Sequence, residues 1–146
     1  MNAFVRVVAS FFYVGYLPKM PGTWGSLAGL ALAWLLAPSL LIYSTLMLSI
    51  LGLMISERSR GVFGQDDPSH FVLDEVCGMM ISVLWLPKIW PVALGAFVLF
   101  RLLDVWKPGP IGWIQKQKSA SSIMWDDIAA GVVANLLLRG ALLFSH

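Results

Sequence analysis

The sequence predicts an all-α fold: one compact bundle of about six helices, built from short helical hairpins and associated with a membrane. Three observations carry this. Hydrophobic residues make up 58% of the 146, with a mean hydropathy of +0.78. Charged residues are 12%, against about a quarter in an ordinary soluble domain. Prolines and glycines then cut the apolar stretches into pieces of helical length. The length fits a single domain, 1–146.

The elements follow in order. Residues 4–16 read as a short apolar helix. A signal peptide is the alternative, but Lys19 and the Pro-Gly that follows fit a structural loop better. Residues 17–25 hold two prolines and two glycines and read as loop, with Thr23 or Ser26 able to cap the next helix. Residues 27–55 carry no charge and are long enough to cross a bilayer once. Pro38 interrupts them, and an interior proline breaks a helix. Two helices, 27–36 and 40–56, are therefore expected. Residues 57–71 read as loop, 72–86 and 92–105 as helices around the Pro87–Pro91 break, and 111–117 as a short helix within a loop. Residues 126–144 form the last helix, where Ala129, Ala130, Gly131 and Ala134 allow close approach by neighbours.

Charge placement points to function. Seven of the eight acidic residues fall in four clusters, Asp66-Asp67, Asp74-Glu75, Asp104 and Asp126-Asp127, each beside an apolar segment. Glu57 stands apart. Turning the chain back at Pro38 and at Pro87–Pro91 gathers the clusters at one end of the bundle. A carboxylate against apolar helices is costly unless solvated, paired or bound to a cation. A polyanionic pocket suits Mg²⁺, which prefers oxygen ligands and phosphate. Asp74 and Glu75 also suit the positive end of a helix dipole, and one of Asp126 and Asp127 suits an N-cap. Arg101, Asp104 and Lys107 share a helical face. They read either as intrahelical ion pairs or as two cations that grip phosphate beside a metal-binding carboxylate.

Several classes are disfavoured. A net charge of +2 without a Lys/Arg run gives no footprint for nucleic acid. Cys77, the single cysteine, has no disulfide or metal partner and reads as a small core residue. His70 reads as a polar loop residue, and the seven tryptophans as core and bilayer-interface anchors. The loop at 18–25 lacks P-loop spacing. A membrane ion transporter is the main rival from another class, with a structural membrane subunit behind it. A transporter places acids mid-span, whereas these sit at helix ends.

Four segments in order resemble the bacterial phosphatidylglycerophosphatase A family: LPKMPGTWGSLAG (17–29), DPSHFVLDEVCGM (67–79), FRLLDVWKPGPIGW (100–113) and IMWDDIAAG (123–131). The resemblance implies an all-helical, Mg²⁺-dependent lipid phosphatase. Its substrate would be phosphatidylglycerophosphate and its products phosphatidylglycerol and phosphate. It would lie in the bacterial inner membrane with the active site facing the cytoplasm. It implies Asp67, Asp74, Glu75, Asp104, Asp126 and Asp127 as the acidic site, Arg101 and Lys107 as phosphate contacts, and Gly22-Thr23 as pocket lining. The chain departs from the family at Ser119-Ala120-Ser121-Ser122, at Gly109, and around Gln115-Lys116, where loop flexibility and head-group fit are affected. An inactive member is the variant reading this leaves. On this reading Asp67, Asp74, Glu75, Asp126 and Asp127 are the candidate metal ligands. Asp74, Glu75, Asp104 and Asp127 are the catalytic set, and Arg101, Lys107, Gly22 and Thr23 bind substrate. Attack by an activated water or by an aspartate both stay open. No D-x-D pattern marks a nucleophile, and no oligomeric state follows from the sequence.

Overall fold

The computed structural model describes residues 2–65, 68–117 and 119–145. Within them the chain forms seven α-helices and one 3₁₀ turn: α1 (Asn2–Ala9), the 3₁₀ turn (Val14–Tyr16), α2 (Pro21–Leu35), α3 (Pro38–Phe63), α4 (Leu73–Ser82), α5 (Trp90–Trp106), α6 (Pro110–Lys116) and α7 (Ser122–Phe144). No strand occurs among the described residues.

The short helix α4 is the centre, packed against α2, α3, α5 and α7. It is buried nearly all round: Leu73, Val76, Cys77, Met79 and Met80 are all inaccessible. Close packing depends on absent side chains. A Cβ on Gly29 of α2 would stand 2.6 Å from the Val76 carbonyl oxygen, and one on Gly78 of α4 would stand 2.7 Å from that of Asp127. Gly131 of α7 meets the Gly78 carbonyl in turn. Cys77 is the core residue expected, and burial pushes its thiol up to about 12.

Pro38 separates α2 from α3 as a hairpin, which excludes one straight span through residues 27–55. Other boundaries differ from expectation for identifiable reasons. The first helix stops at Ala9, because Phe11, Phe12 and Tyr13 take left-handed backbone angles and the Val72 amide bonds the Ala9 carbonyl. α2 starts at Pro21, four residues before the expected loop ends. Proline is preset for the first helical position, and neither Thr23 nor Ser26 caps; the Ser26 hydroxyl donates to the Gly22 carbonyl instead. α3 runs on through the polar stretch to Phe63. Ser56 and Ser59 turn their hydroxyls back to Leu53 and Ser56 carbonyls, and left-handed Gly64 ends the helix.

α4 ends at Ser82, earlier than expected, because α7 supplies its cap. Asn135 Nδ2 donates to the carbonyls of Ile81, Ser82 and Leu84 at 3.0–3.2 Å. Arg139 donates to the Asn135 side chain at 2.7 Å and to the Leu84 carbonyl at 3.0 Å. α7 in turn begins at Ser122, one turn before Asp126. Burial of Ile123 and Met124 in the core extends it there.

The outer faces are apolar. Leu40, Tyr43, Met47, Ile50 and Met54 form a stripe along α3, and Leu94, Val98, Leu102 and Val105 one along α5. α3 and α7 are long and apolar enough to cross a membrane. None of the seven tryptophans is in the core; all are exposed. Trp34 and Trp90 pair at one end of the bundle with ring centroids 5.6 Å apart, while Trp106 and Trp125 flank the acidic residues at the other. Trp90 and Trp106 bound α5, about 24 Å apart at ~1.5 Å per residue. Exposed apolar stripes between indole belts are the signature of association with a bilayer.

Candidate active site

Helix ends converge at one end of the bundle. The first turn of α4 brings Asp74 and Glu75, the end of α5 brings Asp104 and Lys107, and the second turn of α7 brings Asp126 and Asp127. All six line one open cavity of about 640 Å³. Asp126 and Asp127 therefore act from inside the helix, and neither is the N-cap the sequence suggested.

Oxygens of Asp74, Glu75 and Asp127 lie within 4.8 Å of one another. Asp74 is 6% exposed and Asp127 1%, so each carboxylate meets little water. The Glu75 amide donates to Asp74 Oδ1 at 2.9 Å, and the carboxyl groups of Asp74, Glu75 and Asp127 crowd one another. Burial, with the neighbouring charges of Glu75 and Asp127 behind it, raises Asp74 well above the usual carboxylate range. Burial likewise pushes Glu75 up to about 7. Glu75 Oε2, Asp126 Oδ1 and Asp127 Oδ2 are buried and accept no hydrogen bond. Three orphaned carboxylate oxygens around one space fit a hard divalent cation.

Lys107 is the cavity cation that pairs with the carboxylates. It ends α5 in a left-handed conformation, φ 51°, with its amide bonded to the Leu103 carbonyl. Its ammonium lies 2.8 Å from Asp126, 3.3 Å from Asp104 and 3.9 Å from Asp127. Burial opposes its charge, but Asp127, Asp126 and Asp104 outweigh that and hold its pKa above the ordinary lysine value. Arg101 binds Asp104 at 2.5 Å and stands beside the cavity, not in its lining. Gly22, in the first turn of α2, abuts Glu75 and Arg101. A Cβ there would stand 2.9 Å from Glu75 Oε1 and 3.1 Å from Arg101 Nη1. The positive ends of α2 and α4 thus both face the carboxylates. Half-buried Thr23 follows Gly22 in that turn, and its amide bonds the Met20 carbonyl.

Asp67 lies outside the described residues. His70 serves elsewhere: its Nδ1 contacts the Gly15 carbonyl at 2.9 Å and its ring stacks on Tyr16. Arg60, Gln115 and Lys116 also line the cavity; the sequence marked Gln115 and Lys116 only as a departure from the family and did not single out Arg60. Arg60 lay in a presumed loop, and the departure around Gln115-Lys116 was the one signal that pointed to that wall.

Fold and site together define a helical, membrane-associated protein with a carboxylate-rich cavity suited to a divalent cation and a phosphorylated ligand. The family model for phosphatidylglycerophosphatase A matches residues 7–142. The chain belongs to the phosphatidylglycerophosphatase A family. It is 37% identical to the phosphatidylglycerophosphatase A of Escherichia coli, covering 88% of this chain and 78% of that protein. It is 32% identical to that of Haemophilus influenzae, covering 92% and 86%. A Bacteroides thetaiotaomicron protein provisionally named a phosphatidylinositol-3-phosphatase is also 32% identical, covering 92% and 91%. No solved structure matches the chain.

Proposed function

We propose that this protein is a phosphatidylglycerophosphatase: it hydrolyses the terminal phosphomonoester of phosphatidylglycerophosphate to phosphatidylglycerol and inorganic phosphate. Membership of the family supports the reaction, and the cluster of Asp74, Glu75 and Asp127 beside Lys107 is the observation that supports assigning it to this cavity. The exposed apolar faces suit a substrate that stays in the bilayer. The setting proposed is the inner membrane of a bacterium, with the cavity at its cytoplasmic face.

Asp74, Glu75 and Asp127 would hold Mg²⁺, with Asp126 adjoining. When bound, the ion supplies Lewis-acid charge neutralisation and lowers the pKa of water. Lys107 donates to the phosphate oxygens as negative charge shifts during the reaction. Asp126 and Asp104 hold its ammonium in place beforehand, so little reorganisation is needed. Arg101 anchors Asp104 and thereby steadies Lys107. Gly22 leaves Glu75 room to face the ion, and the helix ends at α2 and α4 favour an anionic ligand.

The test is phosphate release from phosphatidylglycerophosphate in detergent micelles. Release should need Mg²⁺, stop with EDTA, and fall at least ~100-fold in Asp74→Asn and Asp127→Asn, since even outer-shell changes at metal sites cost about 10–100-fold. Folded wild-type protein that releases no phosphate sinks the reading. Release that survives both substitutions keeps the enzyme and discards the metal ligands. Phosphatidylinositol 3-phosphate belongs in the same assay, because one relative is named for it. Both lipids carry a phosphodiester next to glycerol and a phosphomonoester further out.

A further inference from the structure

The cavity is larger than a terminal phosphate and its ion require. At about 640 Å³ it falls among sites that enclose a whole drug-sized ligand, ~300–1,000 Å³. Its acidic wall is built by α4, α5 and α7. Two further cations line it, Arg60 from the last turn of α3 and Lys116 from the last turn of α6. Each suits the negative end of its own helix, which alone would explain a basic residue there. That account does not explain why two helices from distant parts of the chain end on the same cavity. Gln115, beside Lys116, adds a hydrogen-bonding side chain to the same wall.

The lipid has a second negative group to place. Resting on the function proposed above, the outer phosphomonoester sits against the carboxylates and Lys107, and the inner phosphodiester must lie a glycerol's length away within the same headgroup. We propose that Arg60 and Lys116 form the subsite for this inner phosphodiester and so select lipids with a diester behind the monoester. Arg60 offers a guanidinium fork that matches two phosphate oxygens, and Lys116 a point charge. The diester does not react. Contacts to it are equal in ground and transition states, so they act on KM and leave kcat alone.

The experiment measures KM and kcat on phosphatidylglycerophosphate for wild type, Lys116→Met, Lys116→Arg and Arg60→Gln. It also measures calorimetric binding of glycerophosphoglycerol, a soluble headgroup that has only the diester. Lys116→Met should raise KM about tenfold, the equivalent of ~1.4 kcal/mol, with kcat within twofold of wild type. Lys116→Arg should restore it, and the substitution should weaken glycerophosphoglycerol binding by a similar factor. Arg60→Gln should do the same. Unchanged KM and unchanged headgroup binding in Lys116→Met overturn the subsite, as does a loss confined to kcat. The binding arm separates the two readings: a wild type that binds the diester headgroup through Lys116 yet releases no phosphate retains the subsite and loses the phosphatase.

Discussion

Gly22 shows how much one missing methyl group can matter. Its neighbours are the ends of two flexible side chains, Glu75 and Arg101. An added Cβ can push them aside without disturbing backbone, and alanine is a better helix former than glycine. Gly22→Ala should therefore leave the melting temperature unchanged or slightly raised. It should also cut phosphate release about tenfold, because small misplacements of catalytic groups are expensive. Equal activity for wild type and Gly22→Ala would show that Glu75 needs no fixed position. The motif marked Gly22 as pocket lining, but Gly22 is not among the residues that line the cavity; it packs against Glu75 and Arg101, and those two contacts were not legible. They join residues from three helices, with 53 positions between Gly22 and Glu75 and 26 between Glu75 and Arg101.

Helix α4 is an apolar core helix whose two ends are polar. Acids occupy its first turn, and Asn135 and Arg139 of α7 take up its last carbonyls. Without Asn135, the Leu84 carbonyl keeps Arg139 and the Ile81 carbonyl keeps the Leu84 amide, but the Ser82 carbonyl loses its side-chain donor, and an unsatisfied buried group costs ~1–3 kcal/mol. Asn135→Ala should lower the stability of the detergent-solubilised protein by about that much while activity per folded molecule holds, because the cap lies at the far end of α4 from the cavity. A thermal melt matching wild type would remove the capping role. Helix types and the Pro38 and Pro87–Pro91 breaks were readable from punctuation and periodicity. The ends of α2, α3, α4 and α7 were not. They are set by Pro21 at the start of α2, by serines bonding back and Gly64 in α3, by an amide side chain from another helix at α4, and by core burial of Ile123 and Met124 at α7.

The whole molecule concentrates negative charge where water is scarce, and its stability should record this. Glu75 is held near 7, above the ordinary 4.5. Between those values the folded chain binds more protons than the unfolded one, so stability falls as pH rises. The contribution is complete below about 4.5 and lost above about 7. In EDTA the melting temperature should fall from pH 5 to pH 7.5. Saturating Mg²⁺ competes with those protons and should raise it most at the upper end. A flat EDTA profile, or a Mg²⁺ effect independent of pH, would remove the carboxylates from cation binding.

The sequence by itself determined the helical class, the membrane association, the hairpin at Pro38 and most residues of the acidic site. These follow from composition, proline placement and local motifs, which act over a few residues. Tertiary structure decided which carboxylates meet. It grouped Asp74, Glu75 and Asp127, gave Asp126 to Lys107, moved Arg101 to a supporting place, and brought Arg60 and Lys116 into the cavity. Those outcomes depend on how far each helix runs and how closely glycines let the helices approach, and both are set by packing between distant parts of the chain.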